Sequence, residues 1–129
     1  MTELKTPLLS VKDLKKHFPI VKGFFNKVVG QIKAVDGVSF DLQAGECLAL
    51  VGESGSGKTT VGRTVLRAVQ PTSGSVWFDV DGASVEVSRA SESTLKMLRR
   101  HMQLIFQDPY ASLNPRMTVL DVVGEPLLV

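Results

Sequence analysis

The 129-residue chain is poor in the features that mark secreted, membrane-spanning and nucleic-acid-binding proteins. Its single cysteine, Cys47, excludes an internal disulfide, which suits a reducing cytosol. Its longest apolar run, Cys47–Val51, is far shorter than the ~20 residues that a spanning helix needs. The segment Met1–Ser10 has no apolar core, so no signal peptide is predicted. A net charge of +2 is too small to argue for nucleic acid.

The overall composition is that of a soluble globular domain. Hydrophobic residues make up 43% of the chain and charged residues 22%. This apolar content is enough to offset the entropy of ordering the chain, which excludes a disordered tail. The length fits one small domain or a piece of a larger one.

The first third of the chain predicts two strands. Leu8–Phe18 mixes apolar and lysine residues, and Pro19 is expected to end that strand. Residues 19–31 have the composition of a loop insertion. A second strand is expected over Gln31–Leu42, with Asp36-Gly37 as a bulge or turn.

The middle of the chain alternates strand and helix patterns. The run Cys47–Val51 lies between turn signals and predicts a buried, central parallel strand. After a glycine-rich loop, the apolar spacing predicts a helix over Lys58–Val69. Ser75–Val80 then predicts a β segment, and Asp81-Gly82 is a hairpin signal that leads into Val85–Val87.

The last third adds shorter elements. Ser91 is expected to cap a helix that runs to about His101, and Met102–Phe106 predicts a short strand. A polar loop follows over Gln107–Arg116. Thr118 and Asp121, three residues apart, resemble a capping box for a last helix, with which Pro126 is expected to interfere. The pattern as a whole predicts a mixed α/β fold with an antiparallel β portion.

The glycine-rich loop carries the clearest chemical signal in the sequence. The phosphate-loop pattern G-x-x-x-x-G-K-[ST] is satisfied at every fixed position by Gly52, Glu53, Ser54, Gly55, Ser56, Gly57, Lys58 and Thr59. Glycines let successive N–H groups point inward at phosphate oxygens, and the following helix N-terminus adds partial positive charge there. In this pattern the lysine reaches the β- and γ-phosphates, and the threonine hydroxyl ligates Mg²⁺. The sequence therefore predicts a site for a nucleotide such as ATP with Mg²⁺.

Two other interpretations of the loop fit the sequence less well. A glycine-rich turn that binds no ligand is disfavoured, because the pattern matches at every fixed position between a predicted buried strand and a predicted helix. The dinucleotide pattern G-x-G-x-x-G starting at Gly55 fails, because Thr60 stands where a glycine or alanine is needed. The phosphate loop is the better interpretation.

Longer segments resemble a known family. Val51–Thr60 resembles the Walker A motif of ATP-binding cassette (ABC) transporter ATPases, and Met102–Met117 resembles their Q-loop region. Gln107-Asp108-Pro109 followed by Ser112-Leu113-Asn114-Pro115 is similar to the oligopeptide/dipeptide (peptide/nickel) importer branch. The resemblance implies a P-loop NTPase fold, here incomplete, with an antiparallel β subdomain and the Walker A part of a RecA-like core.

The resemblance also implies roles for single residues. Phe18 lies at the A-loop position, where an aromatic ring stacks on adenine. Thr60 matches the position that contacts the α-phosphate, and Thr59 the position that ligates Mg²⁺. Gln107 lies at the Q-loop position, where it touches Mg²⁺ or the attacking water and reports to the membrane partner.

Three further motifs of the family do not occur in the 129 residues: the LSGGQ signature, a Walker B strand ending in Asp-Glu, and the switch histidine. The two histidines, His17 and His101, both precede the end of the Q-loop region. We therefore interpret residues 1–129 as the N-terminal part of an ABC ATPase nucleotide-binding domain. We expect it to bind Mg-ATP and not to hydrolyse it alone, so its status as an enzyme stays open.

The family resemblance also implies partners and a location. Family members contact transmembrane permease subunits through the Q-loop region, and they pair with a second, homologous ATPase subunit. They lie at the cytoplasmic face of the inner or plasma membrane as peripheral proteins. Two alternatives stay open: a non-enzymatic fragment that only docks on the membrane subunit, and another kind of P-loop NTPase.

Overall fold

The computed structural model describes residues 6–23, 27–108 and 113–128. Its main feature is an antiparallel sheet in the order β2-β1-β3-β4. The strands are β1 (Leu9–Lys22), β2 (Lys27–Leu42), β3 (Ser73–Val80) and β4 (Ala83–Glu86). The helices of the described part are α1 (Lys58–Val65), α2 (Glu92–Leu98) and α3 (Val119–Leu128). None of them is long and apolar enough to cross a membrane.

The first two strands form one long hairpin, which corrects the prediction for residues 19–31. The expected end of β1 at Pro19 is wrong, because Pro19 pairs with Gln31 and the strand continues to Lys22. Beyond Lys15, β1 pairs only with β2, and a proline is tolerated in a strand with a free edge. Residues 19–22 and 27–31 are therefore strand, not loop, and Phe24, Phe25 and Asn26 lie outside the described residues.

Two turn features of the sheet agree with the sequence. The ladder passes from Leu14 opposite Val38 to Lys15 opposite Asp36, which leaves Gly37 as the extra residue of the predicted bulge. Asp81 and Gly82 have φ angles of 52° and 86°, and they connect β3 to β4. Two consecutive positive φ angles are the requirement of a type I′ hairpin, and Asp-Gly meets it.

The core lies between one face of the sheet and the first two helices. Val11, Leu14 and Val76 are fully buried sheet residues, and Leu95 and Leu98 contribute one face of α2. The remaining buried apolar residues are Val35, Val61, Val65, Phe78 and Val87. Apolar burial of this kind is the main stabilising term of the fold, at about 25 cal/mol per Å² removed from water.

Two predicted strands are absent. Cys47–Val51 and Met102–Phe106 have no strand structure in the described part of the chain. Most of their side chains are open to solvent, with Val51 92% and Ile105 89% exposed, whereas Met102 packs partly against the core. A strand exists only with a hydrogen-bonded neighbour. Neither segment has one among the described residues.

The helices differ from prediction at their ends. α1 stops at Val65, four residues before the expected end at Val69. α2 has the predicted cap, since the Ser91 hydroxyl accepts a hydrogen bond from Thr94 N–H at 3.2 Å, but it ends at Leu98. A proline inside a helix removes one backbone hydrogen bond, yet α3 continues through Pro126 to Leu128, so the predicted interference there is wrong.

The capping box of α3 is confirmed. Thr118 N–H donates to Asp121 Oδ2 at 3.1 Å, and Asp121 N–H donates to the Thr118 hydroxyl at 3.2 Å. The Thr118 hydroxyl and backbone N–H hydrogen bonds also lower the pKa of Asp121 below its usual value. The cap is therefore strongest when Asp121 is ionised.

Candidate nucleotide-binding site

The glycine-rich loop packs directly against β2. Gly57 is the N-cap of α1 and has a φ of 93°. A Cβ added to Gly57 would lie 2.2 Å from the carbonyl oxygen of Ala34, a distance at which real atoms overlap. The strand and the loop can therefore approach each other this closely only with glycine at position 57.

The ammonium group of Lys58 lies inside the loop. It donates hydrogen bonds to the carbonyl oxygens of Gly52 at 2.8 Å and Glu53 at 2.6 Å, and to the Ser56 hydroxyl at 3.2 Å. These contacts close the loop around the lysine. Val61 N–H donates to Gly57 O at 2.8 Å, which joins the loop to the first turn of α1.

A cleft of about 840 Å³ lies on one side of the loop. It is lined by Lys58 and Thr59 from the start of α1 and by Gln107 and Asp108 from the predicted Q-loop region. The described structure thus brings Gln107 to the same cavity as the lysine and threonine of the loop, although they are far apart in sequence. The other lining residues are Leu50, Gly62, Arg63, Leu104, Ile105 and Phe106.

A second cleft, of about 440 Å³, lies between the loop and β2. Ile32, Lys33 and Ala34 form its strand side, and the loop side consists of Gly55, Ser56, Gly57, Lys58, Thr59 and Thr60. Phe18 is not among the lining residues. It is, however, the cross-strand partner of Ile32, which does line the cleft, and Phe18 is 38% exposed.

The charges beside the second cleft are coupled through Asp36. Its carboxylate accepts hydrogen bonds from His17 Nε2 at 2.9 Å and from the Lys33 ammonium at 3.2 Å. The His17 hydrogen bond first, and then Lys33, lower the pKa of Asp36 below its usual 3.8. A lowered carboxyl pKa means that these contacts are intact above pH ~4 and are lost as the pH falls through the folded-state value.

The residues present fit a magnesium nucleotide. Mg²⁺ prefers oxygen ligands. It is usually coordinated by only one or two protein groups, and substrate phosphates and water molecules supply the other ligands. Thr59 and Gln107 supply a hydroxyl and an amide oxygen to one cleft. Within the described ranges, no group of three or more His, Cys, Asp or Glu residues could hold a metal alone.

The strand side of the site carries no sequence motif. Ile32 and Lys33 line the second cleft, and Arg63 lines the first, yet no motif includes them. A strand register would have revealed Ile32, because it is the residue opposite Phe18 in the β1–β2 ladder. The described residues do not include four positions of the Q-loop region: Pro109, Tyr110, Ala111 and Ser112.

Comparison with known proteins finds relatives that match most of the chain. Residues 35–125 match the model of the ABC transporter family. The chain is 49% identical over 120 residues to the oligopeptide transport ATP-binding protein AppF of Bacillus subtilis, covering 92% of this chain and 35% of that protein. It is 50% identical over 127 residues to a putative peptide import ATP-binding protein of Brucella ovis, covering 98% of this chain and 36% of that protein. The chain thus spans about a third of the length of these relatives.

Solved structures give the same fold. The dimeric structure of a post-hydrolysis state of the ATP-binding cassette MJ0796 bound to ADP and Pi superposes with a TM-score of 0.69 at 26% identity. That comparison covers 93% of this chain and 47% of the other. The antiparallel sheet and its helices therefore form part of a P-loop NTPase fold.

Proposed function

The chain belongs to the ABC transporter family, and on that premise we propose that it is the nucleotide-contacting part of the ATP-binding subunit of a peptide importer. One observation carries the proposal. Lys58 and Thr59 of the loop and Gln107 of the Q-loop region line a single cleft. These are the residue types that a Mg-ATP site needs at the phosphate end.

In this proposal each part of the site binds one part of ATP. The adenine lies by Phe18 and Ile32, where an aromatic face contributes about 1 kcal/mol by stacking. The phosphates lie against the backbone of Gly52–Thr60, and the Lys58 ammonium exchanges its bonds to Gly52 O and Glu53 O for phosphate oxygens. Thr60 contacts the α-phosphate.

Magnesium, held by Thr59, Gln107 and the phosphates, would neutralise charge on the β- and γ-phosphate oxygens. The chain's own residues orient the nucleotide and hold the ion in the first cleft. Hydrolysis also needs a carboxylate that positions the attacking water. The 129 residues contain no Walker B or signature motif to supply the remaining groups. We expect binding with negligible turnover by this chain alone.

The proposed partners are the membrane permease subunits of the importer and a second ATPase subunit. Relatives are described as peptide transport or import ATP-binding proteins, and the cassette MJ0796 is described as dimeric. The Q-loop region would face the permease, which places the chain peripherally at the cytoplasmic side of the membrane.

A second candidate function is docking on the permease without catalysis. The exposed apolar residues Ile105 (89%), Phe106 (52%) and Leu113 (52%) of the Q-loop region favour it. Docking and nucleotide binding are compatible in one chain. Capture of the permease by a variant that no longer binds nucleotide would support the second function by itself.

Titration with Mg-ATP tests the proposal. We expect the wild-type chain to bind, and Lys58→Ala to lose at least tenfold in affinity because the phosphate chain loses its principal cation. Lys96→Ala, on the exposed side of α2, is the matched control and should bind like the wild type. A phosphate-release assay should show no turnover in any variant. Equal binding by wild type and Lys58→Ala would contradict the proposed site. Phosphate release that depends on Lys58 would contradict the expectation that the chain lacks a catalytic carboxylate.

A further inference from the structure

Lys16 lies beside the part of the site that is proposed to take adenine. Its ammonium group lies over the ring of Phe18, 4.8 Å from the ring centroid. Alternate residues of a strand point to the same face, so both side chains project from the same face of β1. Ile32, the cross-strand partner of Phe18, belongs to this face too, and it lines the second cleft. Lys16 is therefore a neighbour of the site that belongs to no motif of the loop.

The strand register also places Lys16 close to the phosphate loop. Its cross-strand partner is Val35, a core residue that is only 3% exposed. The residue before it, Ala34, is skipped by the β1–β2 ladder, and its carbonyl oxygen is the atom against which Gly57 packs. Along the hairpin, the backbone of Lys16 thus lies level with the loop, while its ammonium group reaches outward to the ring of Phe18.

The ammonium group of Lys16 has no carboxylate partner among the residues that the structure describes. The adjacent Lys15 points to the opposite face of β1 and forms an ion pair with Asp13 at 3.0 Å. Lys16 is half-buried, so water does not fully solvate it. An aromatic ring holds an ammonium group more weakly than an anion does. Lys16 is therefore a cation available to a negatively charged ligand on the loop side of the sheet.

We propose that Lys16 is a further nucleotide-binding residue, whose ammonium group exchanges the Phe18 ring for the α-phosphate when a nucleotide binds. This exchange rests on the proposed function, in which adenine lies by Phe18 and the phosphates lie on the loop. A base that takes the ring face covered by Lys16 displaces the ammonium group. The α-phosphate is then the nearest anion, because only the ribose separates it from the base. The flexible four-carbon stem of lysine allows this turn without movement of the strand.

The exchange makes the site discriminate between nucleotides and nucleosides. Adenosine has to displace the ammonium group from the ring and offers it no anion in return. AMP and ATP displace it as well, but their phosphate oxygens bind an ammonium group more strongly than the ring does. Lys16 thus disfavours binding of the base alone and favours binding of the base with its phosphate.

Calorimetric titration of the 129-residue chain with adenosine, AMP and Mg-ATP tests the proposal. Lys16→Val removes the charge, leaves the ring uncovered and keeps a high strand propensity. We expect it to bind adenosine about two- to fivefold more tightly, because an exposed cation–π contact no longer has to be broken. The ratio of AMP affinity to adenosine affinity should fall about tenfold, because a charge-assisted hydrogen bond to the phosphate is lost. Lys16→Gln, which is also uncharged, should lower this ratio in the same way.

Two further variants serve as controls. Lys15→Val removes the same charge from the adjacent residue on the opposite face, and it should leave the ratio of AMP to adenosine affinity unchanged. Phe18→Leu removes the ring. In that background Lys16→Val should no longer improve adenosine binding, but it should still lower the ratio. Thermal melting of each variant checks that it is folded.

The outcomes separate this proposal from the proposed function. A ratio that Lys16→Val leaves unchanged, or that Lys15→Val lowers equally, would overturn the role of Lys16, while ATP binding that depends on Lys58 would still support the nucleotide site. A wild-type chain that binds no Mg-ATP, or that binds it no better than Lys58→Ala does, would overturn the proposed function and the role of Lys16 with it.

Discussion

At the scale of single residues, Gly57 decides whether the loop can lie on the strand. Its positive φ and its contact with Ala34 O leave no space for a Cβ. We expect Gly57→Ala to weaken Mg-ATP binding at least tenfold and to lower the melting temperature, because loop and strand must separate. Gly124→Ala in α3 meets no atom within 4 Å and is the control. Calorimetric titration and thermal melting measure both effects; unchanged binding by Gly57→Ala would show that the contact is dispensable.

Lys33 is a second cation at the phosphate loop, and Asp36 restrains it. We expect Lys33→Gln to weaken ATP binding about three- to fivefold, as for an exposed charge contact, and to leave adenosine binding unchanged. Asp36→Asn releases the ammonium and should strengthen ATP binding, but not when Lys33 is also replaced. Isothermal titration of the two single variants and the double variant measures this coupling. If Asp36→Asn still strengthens ATP binding when Lys33 is replaced, the gain in affinity would be assigned to His17 instead.

At the scale of elements, the two capped helices should respond differently to loss of their caps. Ser91→Ala removes the cap of α2, whose Leu95 and Leu98 are core residues, so we expect a loss of about 1 kcal/mol in the free energy of unfolding. Thr118→Ala removes the cap of α3, whose Val119 and Leu120 are each 81% exposed. Fraying of the first turn of α3 exposes little additional apolar surface, so the global free energy of unfolding should stay unchanged. Chemical denaturation distinguishes the two; equal losses would mean that α3 unfolds with the core.

The elements that local sequence could predict are those whose cause is local. The Asp81-Gly82 turn, the Ser91 cap and the Thr118–Asp121 box each depend on a few adjacent residues, and all three are present. The predicted strand at Cys47–Val51 depends on neighbours in the sheet, which an apolar run cannot reveal. The same limit applies to the site, because the loop is contiguous in sequence whereas Ile32 and Lys33 reach it through strand pairing.

At the scale of the whole molecule, the two segments without strand partners, Cys47–Val51 and Met102–Phe106, expose apolar side chains. Ile105 is 89% exposed and Val51 92%, and exposed apolar segments favour association. We expect the chain alone to self-associate with rising concentration, and Ile105→Ser to reduce this without loss of stability. Analytical ultracentrifugation measures it, with Val119→Ser in α3 as the control. A wild-type chain that stays monomeric and melts cooperatively would contradict the expectation.

The chain's lone thiol, Cys47, is exposed and stands at the head of the unpaired segment that leads into the phosphate loop. A maleimide dye would therefore label the protein at one defined position, without any engineered cysteine. This segment lacks a strand neighbour in the described structure. The rate at which Cys47 is labelled therefore measures how accessible the segment is to solvent. Any partner that pairs with the segment would slow the reaction, and the slowing would report assembly in real time.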